Sequence, residues 1–297
     1  MEQMSQGRIK HYEFSGEQVR NFIQRGESTT VNDLHFVPYK RYVLAGFLLE
    51  ELGEGVIEDF KSCLQDYDTG CAILKFGSAL SREDSIKVAT AVSHLIAEPS
   101  IQGPDGGYYG ISRIIDDNNP TFKLLYPYAD FSLHSDGVFA DNPVDWLMMM
   151  KLHERNVVGG CSRLLHMADW EDYEHFHNDP DNQIIRHGLL AKDGRYDVFR
   201  KFSSLEPGLS RILYKPAGRR QVKFVDQYVI PSTIAQACFI ARFQAALEAS
   251  RHVEEVALAP GSMIVLNNHF WMHGRSAFER HPQLEREQLR QYGVFPH

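Results

Sequence analysis

Residues 262–275 read SMIVLNNHFWMHGR, and this stretch decides the fold. Met263–Leu266 is an uninterrupted apolar run behind the turn signal Pro260-Gly261, which predicts a buried β-strand. The strand leads through two asparagines into a segment that carries His269 and His273. These histidines are four residues apart and would share one face of a helix, but the apolar run and the asparagines favour a strand followed by a turn. Either histidine is therefore a candidate functional residue beside a buried strand.

Short strands separated by irregular connections dominate the chain after about residue 105. The apolar or alternating runs predict strands at Trp146–Leu152, Ser162–His166, Val222–Ile230 and Met263–Asn267. One further helix is predicted within this β region, at Thr233–Ser250.

Helical patterns dominate the first hundred residues. They predict helices from Tyr42 to Leu52 and from Val56 to Leu64, then a short strand at Ala72–Phe76. Ser81 and Asp84 form a capping-box pattern that opens another helix, which ends before Pro99. Helices followed by strands predict an α+β protein built on a β-sandwich or jelly roll. No repeat or linker divides the chain, so we predict a single domain over 1–297, with a helical part at about 1–100 and a β core at about 105–297.

Composition excludes several classes of function. The chain has 297 residues, 43% of them hydrophobic, and a net charge of −8, which is ordinary for a soluble protein and disfavours nonspecific nucleic-acid binding. No apolar run is long enough to cross a bilayer, and residues 1–10 are too polar for a secretory signal. The four cysteines lack paired spacing, which argues against a disulfide framework and a thiolate zinc site. We therefore expect a cytoplasmic protein with no nucleic-acid partner and no membrane partner.

His134 and Asp136 are the strongest candidates for metal ligands. They lie in the sequence FSLHSDG of residues 131–137. If Leu133–Val138 is extended, side chains two residues apart share one face, and Gly137 permits a close approach or a bend. An imidazole, a carboxylate and one distant histidine form the 2-His-1-carboxylate triad, which holds Fe(II) and leaves positions open for a cosubstrate and O₂.

Two other sequences have similar spacing, but ordinary roles explain them. His177-Asn178-Asp179 lies in a polar stretch that ends in Asp-Pro and is typical of a solvated loop. His252-Val253-Glu254 follows a predicted helix end, where a histidine complements the helix dipole.

Arg286 and Arg290 follow His273 by 13 and 17 residues. An arginine can hold the far carboxylate of a metal-chelating dicarboxylate through two charge-assisted hydrogen bonds. The alternative is an exposed helical charge face, because the two arginines are four residues apart and lie beside Glu285 and Glu287. Together with a metal triad, the pattern favours the first interpretation.

With these residues placed, the sequence resembles the Fe(II)/2-oxoglutarate-dependent oxygenases, and within them the CsiD family. The resemblance extends from about Tyr39 to the C-terminus. The matching segments are Val88–Ile96, Leu133–Gly137, Leu147–Lys151, Gly159–Ser162, Leu164–His166, Asp169–Glu171, Asp226–Val229 and Asn267–Arg275.

The resemblance implies a clavaminate-synthase-like double-stranded β-helix, or jelly roll, with flanking helices. It also implies that His134, Asp136 and His273 hold Fe(II). Ser162 and Arg286 would bind the distal carboxylate of 2-oxoglutarate. Arg290, one turn further on, would point toward the other carboxylate or the substrate. The expected activity is the hydroxylation of a small free substrate with O₂.

The substrate is less well defined by the sequence. Glutarate hydroxylases of the family read Arg-Gln-Arg where this chain reads Arg290-Gln291-Tyr292, so a cation is lost. Asp116 and Asp117 could hold the ammonium group of a cationic amino acid, or could belong to a solvated turn. We therefore expect a free-amino-acid hydroxylase such as the L-lysine 4-hydroxylases that supply natural-product pathways. The alternatives are a glutarate 2-hydroxylase and a non-catalytic jelly-roll binding protein.

Further expectations concern substrate contacts and assembly. The residues proposed to contact the substrate are Tyr108, Asp116, Asp117, Gln227 and Tyr292. The chain could form a homo-oligomer, and residues 172–221 could be a lid, a partner surface or an oligomer contact.

Overall fold

A computed structural model of the chain describes residues 7–77, 80–102, 107–115, 128–138, 144–187 and 208–296. The helices are α1 Gly16–Arg25, α2 Val31–Phe36, α3 Pro38–Leu52, α4 Glu54–Gln65, α5 Arg82–Ile96, α6 Tyr173–His177 and α7 Ile234–Glu248. The strands are β1 Ile9–Glu13, β2 Cys71–Lys75, β3 Gly110–Ile115, β4 Phe131–His134, β5 Trp146–Arg155, β6 Ser162–His166, β7 Ile185–His187, β8 Gly208–Ser210, β9 Leu213–Tyr214, β10 Gln221–Val222, β11 Val229–Ile230, β12 Glu254–Val256, β13 Ser262–Asn267, β14 Trp271–Arg275 and β15 Glu285–Gly293.

Two sheets organise the core. The main sheet has the order β1-β2-β13-β5-β15-β3, and the second sheet has the order β12-β6-β14-β4. Strands β1 and β2 pair in parallel, whereas the other ladders of these two sheets are antiparallel. Along the chain, β3, β5, β13 and β15 enter the main sheet, and β4, β6, β12 and β14 enter the second sheet. The chain therefore passes repeatedly between two facing sheets.

The inner faces of the two sheets pack against each other, because alternate residues of a strand point to the same face. Leu147 and Ile264 of the main sheet lie in one buried cluster with Leu164 and Trp271 of the second sheet. The same alternation places His273 and Arg275 of β14 on the face of Trp271.

Helices cover the outer face of each sheet. The outer side chains of the main sheet, among them Met148 and Leu289, join one large core cluster with helices α1, α3, α4 and α5. Helix α7 covers the second sheet, where Phe243 packs in a cluster with Leu165 and Met272. The order of layers is helices, main sheet, second sheet and helix α7, and this order confirms the predicted α+β class.

Two helix starts follow the sequence signals. Ser81 accepts a hydrogen bond from the backbone N–H of Asp84 at 3.1 Å, and Thr233 caps α7 in the same way through Gln236. The predicted capping box at Ser81 is incomplete, however, because the Asp84 carboxylate accepts a bond from the Ser81 hydroxyl rather than from its backbone.

Three local predictions were wrong. Val222–Ile230 is not one strand, because a turn at residues 226–228 separates β10 from β11. Leu133–Val138 is not extended throughout, because β4 ends at His134 and residues 136–138 form a turn. Residues 285–293 form strand β15 between β3 and β5, so neither a helical charge face nor a helical-turn relationship between the two arginines exists.

Asp116 and Asp117 lie outside the described residues, and so does part of the segment 172–221. None of the helices in the described ranges is both long and apolar enough to cross a membrane.

Candidate metal centre

His134, Asp136 and His273 meet at one point between the sheets. Their candidate ligand atoms all lie within 4.8 Å of one another. His134 ends β4 and pairs in register with His273 of β14, so the two imidazole centroids are 4.1 Å apart. Asp136 reaches the same point from the turn after β4, with its Oδ1 3.7 Å from His134 Nε2. Both histidines are buried.

The protonation states of the three side chains fit a divalent metal ion. His134 Nδ1 lies 2.8 Å from the carbonyl oxygen of Ser132, which can only accept, so Nδ1 donates this bond and Nε2 is the nitrogen that faces Asp136. Burial, with the neighbouring His134, lowers the pKa of His273 to about 3, so this imidazole is neutral. Burial raises the pKa of Asp136, but the positive charge of Arg290 outweighs burial and holds that pKa below its usual value. Two imidazoles and one carboxylate are a donor set for Fe(II).

Asn268 fixes the turn that carries Asp136. Its Oδ1 accepts from the backbone N–H of Asp136 at 2.8 Å. Its Nδ2 donates to the carbonyl oxygens of Asp136 and Val144 at 2.9 and 2.8 Å. Gly137 adopts φ 71°, and a Cβ there would lie 2.5 Å from Val144 Cγ2, so a glycine is needed in this turn. The predicted bend at Gly137 is confirmed.

The competing histidines lie elsewhere. His269, the alternative third ligand, pairs with Asp145 at 2.7 Å and is not in the triad. His177 stacks on Tyr173 in the short helix α6, with centroids 5.7 Å apart, and His252 is exposed.

Two buried arginines mark one end of the space between the sheets. Arg275 of β14 lies opposite Ser162 of β6, and Arg286 lies on β15. Both guanidinium groups contact the ring of Phe278, at 4.9 and 5.6 Å from its centroid. Burial lowers the pKa of each arginine to about 10, and their mutual repulsion contributes for Arg275, yet both stay charged at neutral pH.

This end of the site suits an anion. Arg286 Nε is buried and makes no hydrogen bond to the described part of the protein. A nearby carboxylate, Glu154, is ion-paired with Lys151. An unsatisfied buried guanidinium is costly, and a bound carboxylate would satisfy it.

Arg290 and Tyr292 lie on the same strand, closer to the metal ligands. Arg290 Nη1 is 3.2 Å from Asp136 Oδ2, and its guanidinium carbon is 5.6 Å from the centroid of Tyr292. Burial raises the pKa of Tyr292, so its hydroxyl is protonated at neutral pH. Arg290 therefore belongs to the metal end of the site.

Tyr108 is not at this site, contrary to prediction. It is buried in the helical layer on the outer side of the main sheet, where its hydroxyl is 2.9 Å from Thr90 Oγ1 and Arg41 stacks on its ring. Gln227 is exposed in the turn at residues 226–228.

Sequence reasoning missed the roles of Asn268 and Arg275. For Arg275 a signal existed, because it lies two residues after His273 and shares its face of the strand. For Asn268 only its place between two strands pointed to a turn contact.

The fold and the site define the class of the protein. A 2-His-1-carboxylate triad between two facing sheets, beside two buried arginines, is typical of a non-heme iron, 2-oxoglutarate-dependent oxygenase. The chain belongs to the CsiD family, whose family model matches residues 1–295. The predicted resemblance is thereby confirmed.

Named relatives agree with this family. The chain is 29% identical over 296 residues to the glutarate 2-hydroxylase of Klebsiella pneumoniae (strain 342). The alignment covers 97% of this chain and 87% of that protein. It is 28% identical to the glutarate 2-hydroxylase of Citrobacter koseri, with the same coverage.

The fold is similar to two solved structures. One is an asparagine oxygenase in complex with Fe(II), 2S,3S-3-hydroxyasparagine and succinate, with TM-score 0.72, 13% identity and coverage of 96% of this chain and 93% of that one. The other is the non-heme iron oxygenase OrfP in complex with Fe, succinate and (3S)-hydroxy-L-Arg, with TM-score 0.70, 15% identity and coverage of 95% and 93%.

Proposed function

We propose that the chain hydroxylates an unactivated carbon of a small carboxylate-bearing molecule, and that glutarate is the first candidate. The observation that carries the proposal is the placement of two arginines on one face of β15. Arg286 lies at the buried end of the site, and Arg290 lies beside the metal ligand Asp136. Four residues of strand separate them by about 13 Å. One cation can serve the cosubstrate and the other the substrate.

Each side chain then has a distinct role. His134, Asp136 and His273 would hold Fe(II), which supplies the activation of O₂ and couples the oxidation of 2-oxoglutarate to C–H hydroxylation. Arg286, with Ser162, would hold the distal carboxylate of 2-oxoglutarate. Arg290 would orient the substrate by its carboxylate. The low exposure of His134 and His273 limits the access of bulk water to the reacting centre.

Glutarate is favoured by the relatives, since the proteins at 28–29% identity carry the name glutarate 2-hydroxylase. Arg290 supplies a cation for one glutarate carboxylate. The protonated hydroxyl of Tyr292 supplies a donor for a second oxygen of the substrate in place of the second arginine of glutarate hydroxylases.

A free amino acid such as L-lysine, hydroxylated at C4, is the second candidate. The specific observation is Tyr292 itself, because a neutral hydroxyl does not repel an ammonium group as an arginine would. The fold is also that of oxygenases solved with hydroxylated asparagine and arginine. Asp116 and Asp117 remain the predicted partners of the ammonium group.

Turnover with defined substrates tests the proposal. The iron-loaded protein is incubated with 2-oxoglutarate, O₂ and either glutarate or L-lysine, and succinate and product mass are measured. We expect glutarate to stimulate succinate formation and to yield a product heavier by one oxygen atom. Stimulation by L-lysine alone would replace glutarate with the second candidate. If neither molecule stimulates succinate formation, both named substrates are wrong, and the proposed substrate class loses its support.

A variant sharpens the choice between the two substrates. Tyr292→Arg restores the cation of the glutarate hydroxylases, so it should lower the KM for glutarate and abolish any turnover of L-lysine. Tyr292→Phe is the matched control that removes only the hydroxyl.

We further propose that the two facing sheets form the double-stranded β-helix and that residues 1–297 are one domain. Their support is the regular alternation of strands between the sheets and the span of the family match. The homo-oligomeric state and the cytoplasmic location stay predictions.

A further inference from the structure

The carboxylate of Asp136 is shared between two different partners. Its Oδ1 is 3.7 Å from His134 Nε2, on the side of the metal ligands. Its Oδ2 is 3.2 Å from Arg290 Nη1. The guanidinium of Arg290 therefore contacts the Asp136 oxygen that does not face the histidines. Only the carboxylate of Asp136 separates this positive charge from the position of the metal ion.

The position of Arg290 gives it access to both the metal ligand and the substrate space. Its side chain is 44% exposed, whereas that of Asp136 is 14% exposed. The arginine is held by the register of β15, where it pairs with Met149 of β5 and Gly110 of β3. Among the described residues, Asp136 is the acidic side chain that forms an ion pair with it. An incoming anion would meet the same guanidinium.

The positive charge of Arg290 predicts the direction of its effect on metal binding. A fixed positive charge beside a ligand carboxylate repels a divalent cation and competes with it for the negative charge of Asp136. An anionic group bound to Arg290 neutralises that charge. Metal binding and anion binding should therefore favour each other, and by linkage each must strengthen the other by the same factor.

We propose that Arg290 is a positioning residue that couples the substrate anion to the metal site through Asp136. Without substrate, its charge weakens the hold of the three ligands on a divalent ion. With an anionic substrate, the guanidinium is neutralised and the hold tightens. The inference rests on the proposed function for the identity of the anion, but its first test needs no substrate.

The first test measures the affinity for Co(II) by titration calorimetry, without 2-oxoglutarate or substrate. Arg290→Gln removes the charge and keeps a polar side chain, and we expect Co(II) to bind about tenfold more tightly, because a positive charge close to the cation is removed. Arg290→Lys keeps the charge and should restore the wild-type affinity. Arg155→Gln removes an exposed positive charge at the far end of β5 and should leave the affinity unchanged.

The sign of the change separates the coupling from a purely structural role. If Arg290 only orients Asp136, Arg290→Gln binds Co(II) more weakly than the wild-type protein, and the proposal is overturned. Equal affinities overturn it as well.

The second test uses glutarate as the probe anion. In the wild-type protein, saturating glutarate should tighten Co(II) binding at least fivefold, and the ligand-field absorption of Co(II) should change. In Arg290→Gln the two binding events should be independent within about twofold. A wild-type protein that turns over glutarate without this cooperativity would contradict the coupling and leave the proposed function intact. The converse also holds, because tighter Co(II) binding by Arg290→Gln supports the coupling even if glutarate is not a substrate.

Discussion

Asn268 clamps the backbone of Asp136 from both sides: its side chain accepts from the Asp136 N–H and donates to the Asp136 carbonyl oxygen. Asn268 lies in the turn between β13 and β14, five residues before His273. Through Asn268, the turn before β14 thus holds the backbone of Asp136 close to the strand that carries His273. The triad depends on this tie, because Asp136 lies outside any ladder of the sheet.

Asn268→Ala should weaken metal binding by about 10- to 100-fold, the usual cost of losing a residue that orients a metal ligand. The substitution leaves the N–H and carbonyl of Asp136 without their partners, so the carboxylate loses its fixed position. Titration with Co(II) measures the effect. Asn32→Ala, on the exposed side of α2, is the control and should bind Co(II) like the wild-type protein. Unchanged Co(II) affinity in Asn268→Ala would show that the turn keeps its shape without the clamp.

Gly137→Ala should destabilise the fold and disrupt metal binding. The new Cβ would lie 2.5 Å from Val144 Cγ2, in a backbone conformation with φ 71° that alanine disfavours. We expect a loss of about 1–3 kcal/mol in the free energy of unfolding, measured by denaturant titration. Gly46→Ala is the matched control, because a Cβ there meets no atom within 4 Å inside helix α3. That variant should instead gain about 0.5–1 kcal/mol. Equal stability of the two variants would contradict this account.

The local part of the fold could be predicted from the sequence, whereas the contacts between distant segments could not. The apolar run before Asn267 and the cap at Ser81 are signals within a few residues, and both elements were found. Asp136 was placed on a strand because alternation alone cannot show where β4 ends. The arginines at 286 and 290 look helical in isolation, since a spacing of four residues suits a helix, but it also keeps both side chains on one face of a strand.

In the candidate site, too, the contacts between distant segments could not be predicted from the sequence. His134, Asp136 and His273 were identified because each is a metal ligand by type and the spacing of the first two is short. Tyr108 was wrongly included, because its neighbourhood in sequence precedes the metal strand while its ring points to the helices on the other side of the main sheet. Asn268 was missed because its role requires the turn at Asp136, which is 132 residues away.

Arg286→Gln should raise the dissociation constant for 2-oxoglutarate by at least about a hundredfold, because a buried charge-assisted contact to a carboxylate is worth several kcal/mol. Ser162→Ala removes a single neutral donor and should cost about tenfold. Calorimetry with the Co(II)-loaded protein under anaerobic conditions measures both constants. Arg155→Gln, an exposed site on β5, controls for net charge. Wild-type affinity in Arg286→Gln would place the cosubstrate carboxylate elsewhere, with Arg275 as the next candidate.

His166 should make the stability of the fold depend on pH in the acidic range. It is 1% exposed among the rings of Tyr67, Phe270 and Trp271, and its Nδ1 accepts from the N–H of Ala168. Burial lowers its pKa from 6.5 to about 4. At a pH between these two values, His166 is therefore protonated in the unfolded chain but not in the folded protein. Between these two values the unfolded state binds more protons, and the free energy of unfolding therefore falls as the pH is lowered. This group alone contributes a loss on the order of 3 kcal/mol across that interval.

His166→Gln should flatten this dependence while lowering stability at neutral pH, because the amide does not titrate and packs less well against the three aromatic rings. Denaturant titrations of the metal-free protein at several values between about pH 4 and pH 6.5 give the slope. The slope should decrease by up to about 1.4 kcal/mol per pH unit, the full effect of one proton. A residual slope is expected, since burial also lowers the pKa of His187 to about 4. His175→Gln, at an exposed position of α6, should keep the wild-type slope. A slope in His166→Gln as steep as that of the His175 control would mean that His166 is protonated in the folded protein.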